Sequence, residues 1–225
     1  KKNHKTVVFF YGGRWRNGVK EDYRFVAQAL AKHGFIIVIP DYRLYPEVKF
    51  PGFIEDGAGA VKWVHDNINK YGGNSEEICV MGHSAGAYIA LMLALDKKYI
   101  EKTGIKEFPI KCAVGLAGPY DFLPIKYDDV KEIFGHEEKL EITQPINFVS
   151  KNSPPALLMT GEDDDAVFPR NTKSLTKKYR EKGATVVEKI YPETDHYKII
   201  LSLASTVPIG TSIVNDIISF LNSYD

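Results

Sequence analysis

Gly82-His83-Ser84-Ala85-Gly86 is the stretch around which this chain is organised. An apolar, strand-like run, Ile78-Cys79-Val80-Met81, leads into it, and residues 87–95, rich in helix formers, lead out. Strand, Gly-x-Ser-x-Gly and helix in that order make a nucleophile elbow. Such a turn is tight enough to strain the serine backbone, and small residues two positions either side keep strand and helix from clashing. The serine oxygen then stands above a sheet at a helix N-terminus, where the dipole and free N–H groups favour developing negative charge. A Gly-x-Ser-x-Gly string alone is often an incidental turn; the strand before it and the helix after it give this one its meaning.

The bulk numbers fit that picture. The 225 residues suffice for one domain with a sizeable core. With 44% hydrophobic and 26% charged residues and a formal net charge of zero, nothing draws the chain toward nucleic acid or an anionic membrane. No apolar run reaches the ~18 residues that span a bilayer. Cys79 and Cys112 both lie in apolar strand-like runs, so they are expected to be buried free thiols rather than a disulfide or metal ligands. Free thiols in turn suggest a reducing, cytoplasmic compartment. The sequence opens on Lys1-Lys2-Asn3, without methionine, so an upstream segment such as a removed signal peptide is an expectation.

Strand-like and helix-like segments alternate along the whole chain. Apolar strands are expected at 6–11, 35–39, 78–81, 110–117, 156–160 and 185–191, and helices at 22–33, after Pro51, at 87–95, 171–182 and 211–221. Residues 123–153 are irregular, with a short helix near 130–134. Continuous apolar strands separated by helices argue for a mostly parallel sheet covered by helices on both faces. Sites in such sheets form at the carboxyl ends of the strands.

A serine hydroxyl needs a base, and the base an orienting acid. His196 alone among the histidines follows a strand on a short polar loop, Glu193-Thr194-Asp195. His4 lies near the terminus, His33 and His65 in helices, His83 within the elbow and His136 in a charged loop. Ahead of His196, Gly161-Glu162-Asp163-Asp164-Asp165 supplies four consecutive carboxylates. Either the run is a solvated turn capping the next helix, or one member points inward to the imidazole. The order serine, acid, histidine is that of elbow-type hydrolases. Oxyanion donors are expected from the backbone N–H of Ala85 and from Gly12-Gly13, which let the backbone face a substrate without side-chain obstruction.

Together these marks resemble the α/β-hydrolase superfamily, in its esterase/lipase branch of hormone-sensitive-lipase-like and feruloyl-esterase-like carboxylesterases and kynurenine formamidases. The resemblance is carried by Tyr11-Gly12-Gly13-Arg14-Trp15, Asp41-Tyr42-Arg43-Leu44, Asp56 with Ala60 and Trp63, Tyr71-Gly72-Gly73-Asn74, Gly82 to Gly86, Gly161 to Val167, and His196. It covers essentially the whole chain. The family's Gly-x-x-Asp-x-x-Val pattern selects Asp164 as the acid, and it makes Asp56 a structural residue. Two departures stand out. Tyr11 replaces the usual histidine of His-Gly-Gly, which could bring a phenol to the pocket edge, and the strands that precede the oxyanion strand are short or missing. The resemblance implies one domain over residues 1–225, with little or no cap beyond a small insertion at 120–150.

The expected activity is hydrolysis of small carboxylic esters through an acyl-enzyme, with Ser84, His196 and Asp164 as triad and Gly12, Gly13 and Ala85 around the oxyanion, without metal or cofactor. Trp15, Tyr42, His83, Tyr120 and Phe168 are candidate pocket walls, each with ordinary packing as the alternative. The enzyme alternatives are an arylformamidase acting on N-formylkynurenine-type amides or a small peptidase; the non-enzyme alternative is a ligand-binding homologue that has lost its chemistry. The expected partner is a small ester or amide, with a homodimer through an exposed sheet edge as a further expectation.

Overall fold

A computed structural model describes residues 4–204 and 211–224. The opening residues, on which the expectation of an upstream segment rests, lie outside them. In chain order the elements are β1 (His4–Phe10), α1 (Arg24–Ala31), β2 (Ile36–Val38), α2 (Gly52–Asn67), β3 (Gly73–His83), α3 (Ala85–Leu95), α4 (Lys98–Glu101), β4 (Ile110–Leu116), α5 (Asp128–Phe134), β5 (Ala156–Gly161), α6 (Arg170–Glu181), β6 (Val186–Tyr191), α7 (Lys198–Leu201) and α8 (Thr211–Asn222). The strands form one sheet in the order β2-β1-β3-β4-β5-β6, and every pairing is parallel. The alternation of segments implies such a parallel sheet, and the arrangement is the α/β-hydrolase one that the resemblance implies.

The strands pair in parallel because each is followed by a return through a helix or long loop. Their central members are apolar on both faces, as burial on both sides demands. Val7 to Phe10 of β1, Ile78 to Met81 of β3 and Ala156 to Met159 of β5 are all buried. The helix after the elbow is apolar all round rather than amphipathic, and all eleven of its residues are buried. It packs against β1, β3 and β4 on one side and α2 on the other. A helix without a polar face is stable only inside a core.

The sheet order creates the site. From β1 the chain steps outward to β2, then crosses back so that β3 lies on the other side of β1. Loops leaving neighbouring strands in opposite directions open a crevice at their carboxyl ends. Gly12-Gly13 follows β1 and Ser84 follows β3, so both border that crevice. β2, with three residues, flanks β1 on the outer side, so β1 is not itself the sheet edge.

Close approach explains both elbow glycines. A Cβ on Gly82 would stand 2.3 Å from the Gly86 carbonyl carbon, and one on Gly86 would stand 2.0 Å from the Phe10 carbonyl oxygen. Those neighbours are backbone atoms, which cannot rotate away. Gly86→Ala is therefore expected to cost about 3 kcal/mol or more, at the upper end of overpacking effects. A urea midpoint equal to that of the parent protein would contradict this packing.

One expectation is overturned. Cys79 and Cys112 form a disulfide. They are 33 residues apart in sequence, but β3 pairs with β4 in a register that sets Cys79 opposite Cys112, with Cα atoms 4.7 Å apart. Both do lie in apolar strands; spacing along the chain carried no sign that the strands were neighbours. The argument for a reducing compartment rested on free thiols and falls with them, since disulfides persist chiefly in oxidising surroundings. No helix among the described residues is long and apolar enough to cross a membrane.

Candidate active site

Ser84 sits at φ 54°, ψ −121°, a conformation that strains a residue with a side chain. The turn is over-determined: its own N–H donates to Leu116 O at 2.8 Å, and the two close-packed glycines leave the chain no other path. Strain here raises the hydroxyl above the sheet, at the first turn of α3. The Ala85 N–H opens that helix and, like the first N–H groups of any helix, has no intrahelical acceptor.

His196 comes from the loop after β6 and Asp164 from the loop after β5. The Nδ1–H of His196 donates to Asp164 Oδ2 at 2.8 Å, and its Nε2 accepts the Ser84 hydroxyl at 2.9 Å. Both bonds lie in an interior site: Ser84, His196 and Asp164 are 8%, 6% and 2% exposed. This tautomer follows from the carboxylate, which can only accept. Asp164 is itself held, its Oδ1 accepting the Ala166 and Val167 N–H groups at 3.1 and 2.8 Å. Its neighbours Glu162, Asp163 and Asp165 are exposed to solvent.

Two further contacts hold the histidine loop in place. A Cβ on Gly161 would fall 1.9 Å from Thr194 O, so only glycine lets the acid loop touch the histidine loop there. The N–H groups of Glu162 and Asp163 then donate to Tyr191 O and Thr194 O. From below, His83 Nε2–H donates to His196 O at 2.9 Å, the two rings 4.8 Å apart. Burial, and after it the neighbouring His196, pushes the His83 imidazole down to about 3. At neutral pH His83 is thus uncharged, and it works as a fixed donor to His196 O.

In the loop after β1, a Cβ on Gly12 would stand 3.1 Å from Ser84 Cβ, which sets this loop against Ser84. Arg14 and Trp15 follow in succession at φ 54° and 58°, a costly pair for residues with side chains. They are held by α5 and by Tyr88 of α3. Arg14 bonds both carboxylate oxygens of Asp129 at 2.7 and 2.8 Å, Arg16 donates to Asp129 O at 2.9 Å, and the Trp15 ring stands edge-on to Phe134 and Tyr88.

A cavity of about 340 Å³ opens beside Ser84 and Ala85. Of the candidate pocket walls, Trp15 and Phe168 are among the lining residues. Tyr42, His83 and Tyr120 are not, and the reasons differ. The Tyr42 hydroxyl donates to Tyr11 O at 2.7 Å and its ring stacks on Tyr11, on the far side of the loop after β1. His83 is turned beneath His196. Tyr120 is fully buried against Gly115 and Gly118. The Tyr11 phenol likewise points away from the cavity, toward Asp41 Oδ1 at 3.3 Å. Asp56, read as structural, holds the Arg43 guanidinium and N–H.

Walls that sequence reasoning missed come from the irregular stretch: Phe122, Pro124, Ile125, Tyr127 and Val130. The available signal was the apolar run Phe122-Leu123-Pro124-Ile125, with neither helical nor strand period, in a segment otherwise polar. Asn171 at the start of α6 ties this wall down, its side-chain oxygen accepting the N–H groups of Tyr120 and Asp121 at 3.0 Å each.

Comparison with known proteins agrees with this architecture. The BD-FAE family model matches residues 1–179. Esterase LipC of Mycobacterium tuberculosis is 28% identical over 193 residues, which cover 78% of this chain and 48% of LipC. The chain thus spans about half the length of that curated relative. Among solved structures, a hyperthermophilic esterase from the archaeon Pyrobaculum calidifontis superposes with a TM-score of 0.81 at 27% identity, covering 99% of this chain and 75% of that one. A truncated carbohydrate esterase from gut microbiota gives 0.86 at 20% identity, with 99% and 86% covered, a likeness of fold.

Proposed function

The chain belongs to the BD-FAE family, and on that premise we propose that it is a serine hydrolase of small carboxylic esters. The observation that carries the proposal is the unbroken hydrogen-bonded line from Asp164 through His196 to Ser84. Ser84 attacks the ester carbonyl while His196 Nε2 takes its proton. Asp164 keeps the imidazole in the accepting tautomer and stabilises the imidazolium that forms. The N–H groups of Ala85 and Gly13 receive the oxyanion. Gly12, packed 3.1 Å from Ser84 Cβ at the position a Cβ would take, is the secondary donor beside Gly13. His196 then protonates the leaving alcohol, and water, activated by the same nitrogen, cleaves the acyl-enzyme.

The substrate is a small ester that fits the cavity, its apolar part against Trp15, Phe122, Ile125 and Phe168. We take residues 120–150 as a small cap, one wall of the pocket rather than a separate domain. A second copy, if it pairs along the sheet, has a longer ladder at β6, with six residues, than at β2, with three. Parallel assays on a short acyl ester, N-formylkynurenine and an aminoacyl anilide test the reading. Fastest turnover of the ester is expected; faster cleavage of either amide would replace it with a formamidase or a peptidase.

A further inference from the structure

The charges lining the cavity are all of one sign. Arg14, Lys126 and Arg170 border it, and no aspartate or glutamate does. Arg14 is matched by Asp129, outside the lining. Lys126 and Arg170 form no ion pair among the described residues. They reach the space from different walls, Lys126 from the segment ahead of α5 and Arg170 from the first position of α6. The twelve-residue helix α6 begins beside the cavity, so its positive end adds to the same field. Phe122, Ile125, Val167 and Phe168 give the same cavity apolar walls. Low-dielectric walls carrying one sign of charge concentrate the field on an entering ligand.

We propose that the substrate is an anionic ester, with an apolar body and a carboxylate that Lys126 and Arg170 receive. Both are specificity-determining residues. The inference rests on the serine-hydrolase reading and adds the class of ester. An uncharged ester leaves the two exposed cations with solvent as their partner, whereas a carboxylate gives each a partner and accepts charge-assisted hydrogen bonds.

Two near-isosteric pairs test it. Monomethyl adipate against methyl hexanoate places the charge on the acyl side, and 4-acetoxybutyrate against pentyl acetate places it on the alcohol side. In at least one pair the anionic member is expected to have a kcat/KM roughly tenfold higher or more at low ionic strength, the lower end of electrostatic enhancement in a charged cleft. The ratio falls toward one in about 0.5 M salt, because the cations are solvent-exposed. In the Lys126→Gln/Arg170→Gln double variant the ratio drops to near one, while Lys173→Gln, the same charge change on an exposed position of α6, keeps it. A neutral preference in both pairs, or a ratio unmoved in the double variant, overturns the proposal. Equilibrium binding of the same pairs to Ser84→Ala separates this question from catalysis. If no ester is turned over, tighter binding of the anionic member still supports the cationic cavity, and equal or weaker binding rejects it.

Discussion

Ser84→Ala is expected to lower kcat/KM for a short acyl ester by at least about 1,000-fold, the scale on which loss of one triad member is felt. The argument is geometric. The hydroxyl lies 2.9 Å from His196 Nε2, and no other hydroxyl lines the cavity beside Ala85 except the phenol of Tyr127 across it. Alanine keeps the Cβ and meets the positive φ of 54° no worse than serine does, so the fold survives. What remains is the oxyanion loop and the cavity, which bind substrate without a nucleophile. The urea midpoint, measured on the same sample, is expected to stay within about 1 kcal/mol of the parent, as one interior hydrogen bond is lost. Turnover within tenfold of the parent in a folded variant would remove Ser84 from the mechanism.

Asp164→Asn is expected to cost about 10³- to 10⁴-fold in kcat, because an amide lets the imidazole adopt the wrong tautomer. The same change at Asp163 or Asp165 is expected to leave kcat within about twofold, as exposed surface substitutions do. Four carboxylates stand in succession, yet one is buried on the imidazole and accepts two backbone N–H groups through its other oxygen. The contrast separates a positioned acid from a generally acidic loop. Comparable losses at all three positions would show that net charge near His196, rather than one hydrogen bond, is what matters.

Much of this was legible because the site obeys local rules. A nucleophile elbow is a steric solution, so its glycines appear at fixed offsets from Ser84, and the contacts of Gly82 and Gly86 show why. The strands announced themselves as continuous apolar runs, and the helix after the elbow was apolar throughout because it lies inside the core. Residue spacing alone left the four carboxylates equivalent. The family pattern singled out Asp164, and the fold separates it from the others by burial.

The misses share a physical cause: they depend on which segments become neighbours. Cys79 and Cys112 meet only because β3 and β4 are adjacent and in register. Tyr42 and Tyr120 follow strands and His83 ends one, as pocket residues should, but a residue at such a position can point up into the crevice or down into the core. Each of these three turned away, toward Tyr11, His196 and the glycines of β4 and its loop respectively. The wall at 122–130 has no period to read, since it owes its shape to Asn171 and to the Arg14 and Arg16 bonds across to α5. Tertiary partners of this kind leave no repeat in the sequence.

The central claim is that Ser84 is a nucleophile activated by His196. Its most direct test is intact-mass and peptide analysis of the folded protein after exposure to a fluorophosphonate. The account predicts one adduct per chain, carried by the peptide that contains Ser84, absent from Ser84→Ala and formed far more slowly in His196→Gln. A folded protein that takes up no adduct, or takes it up at another residue, would contradict it.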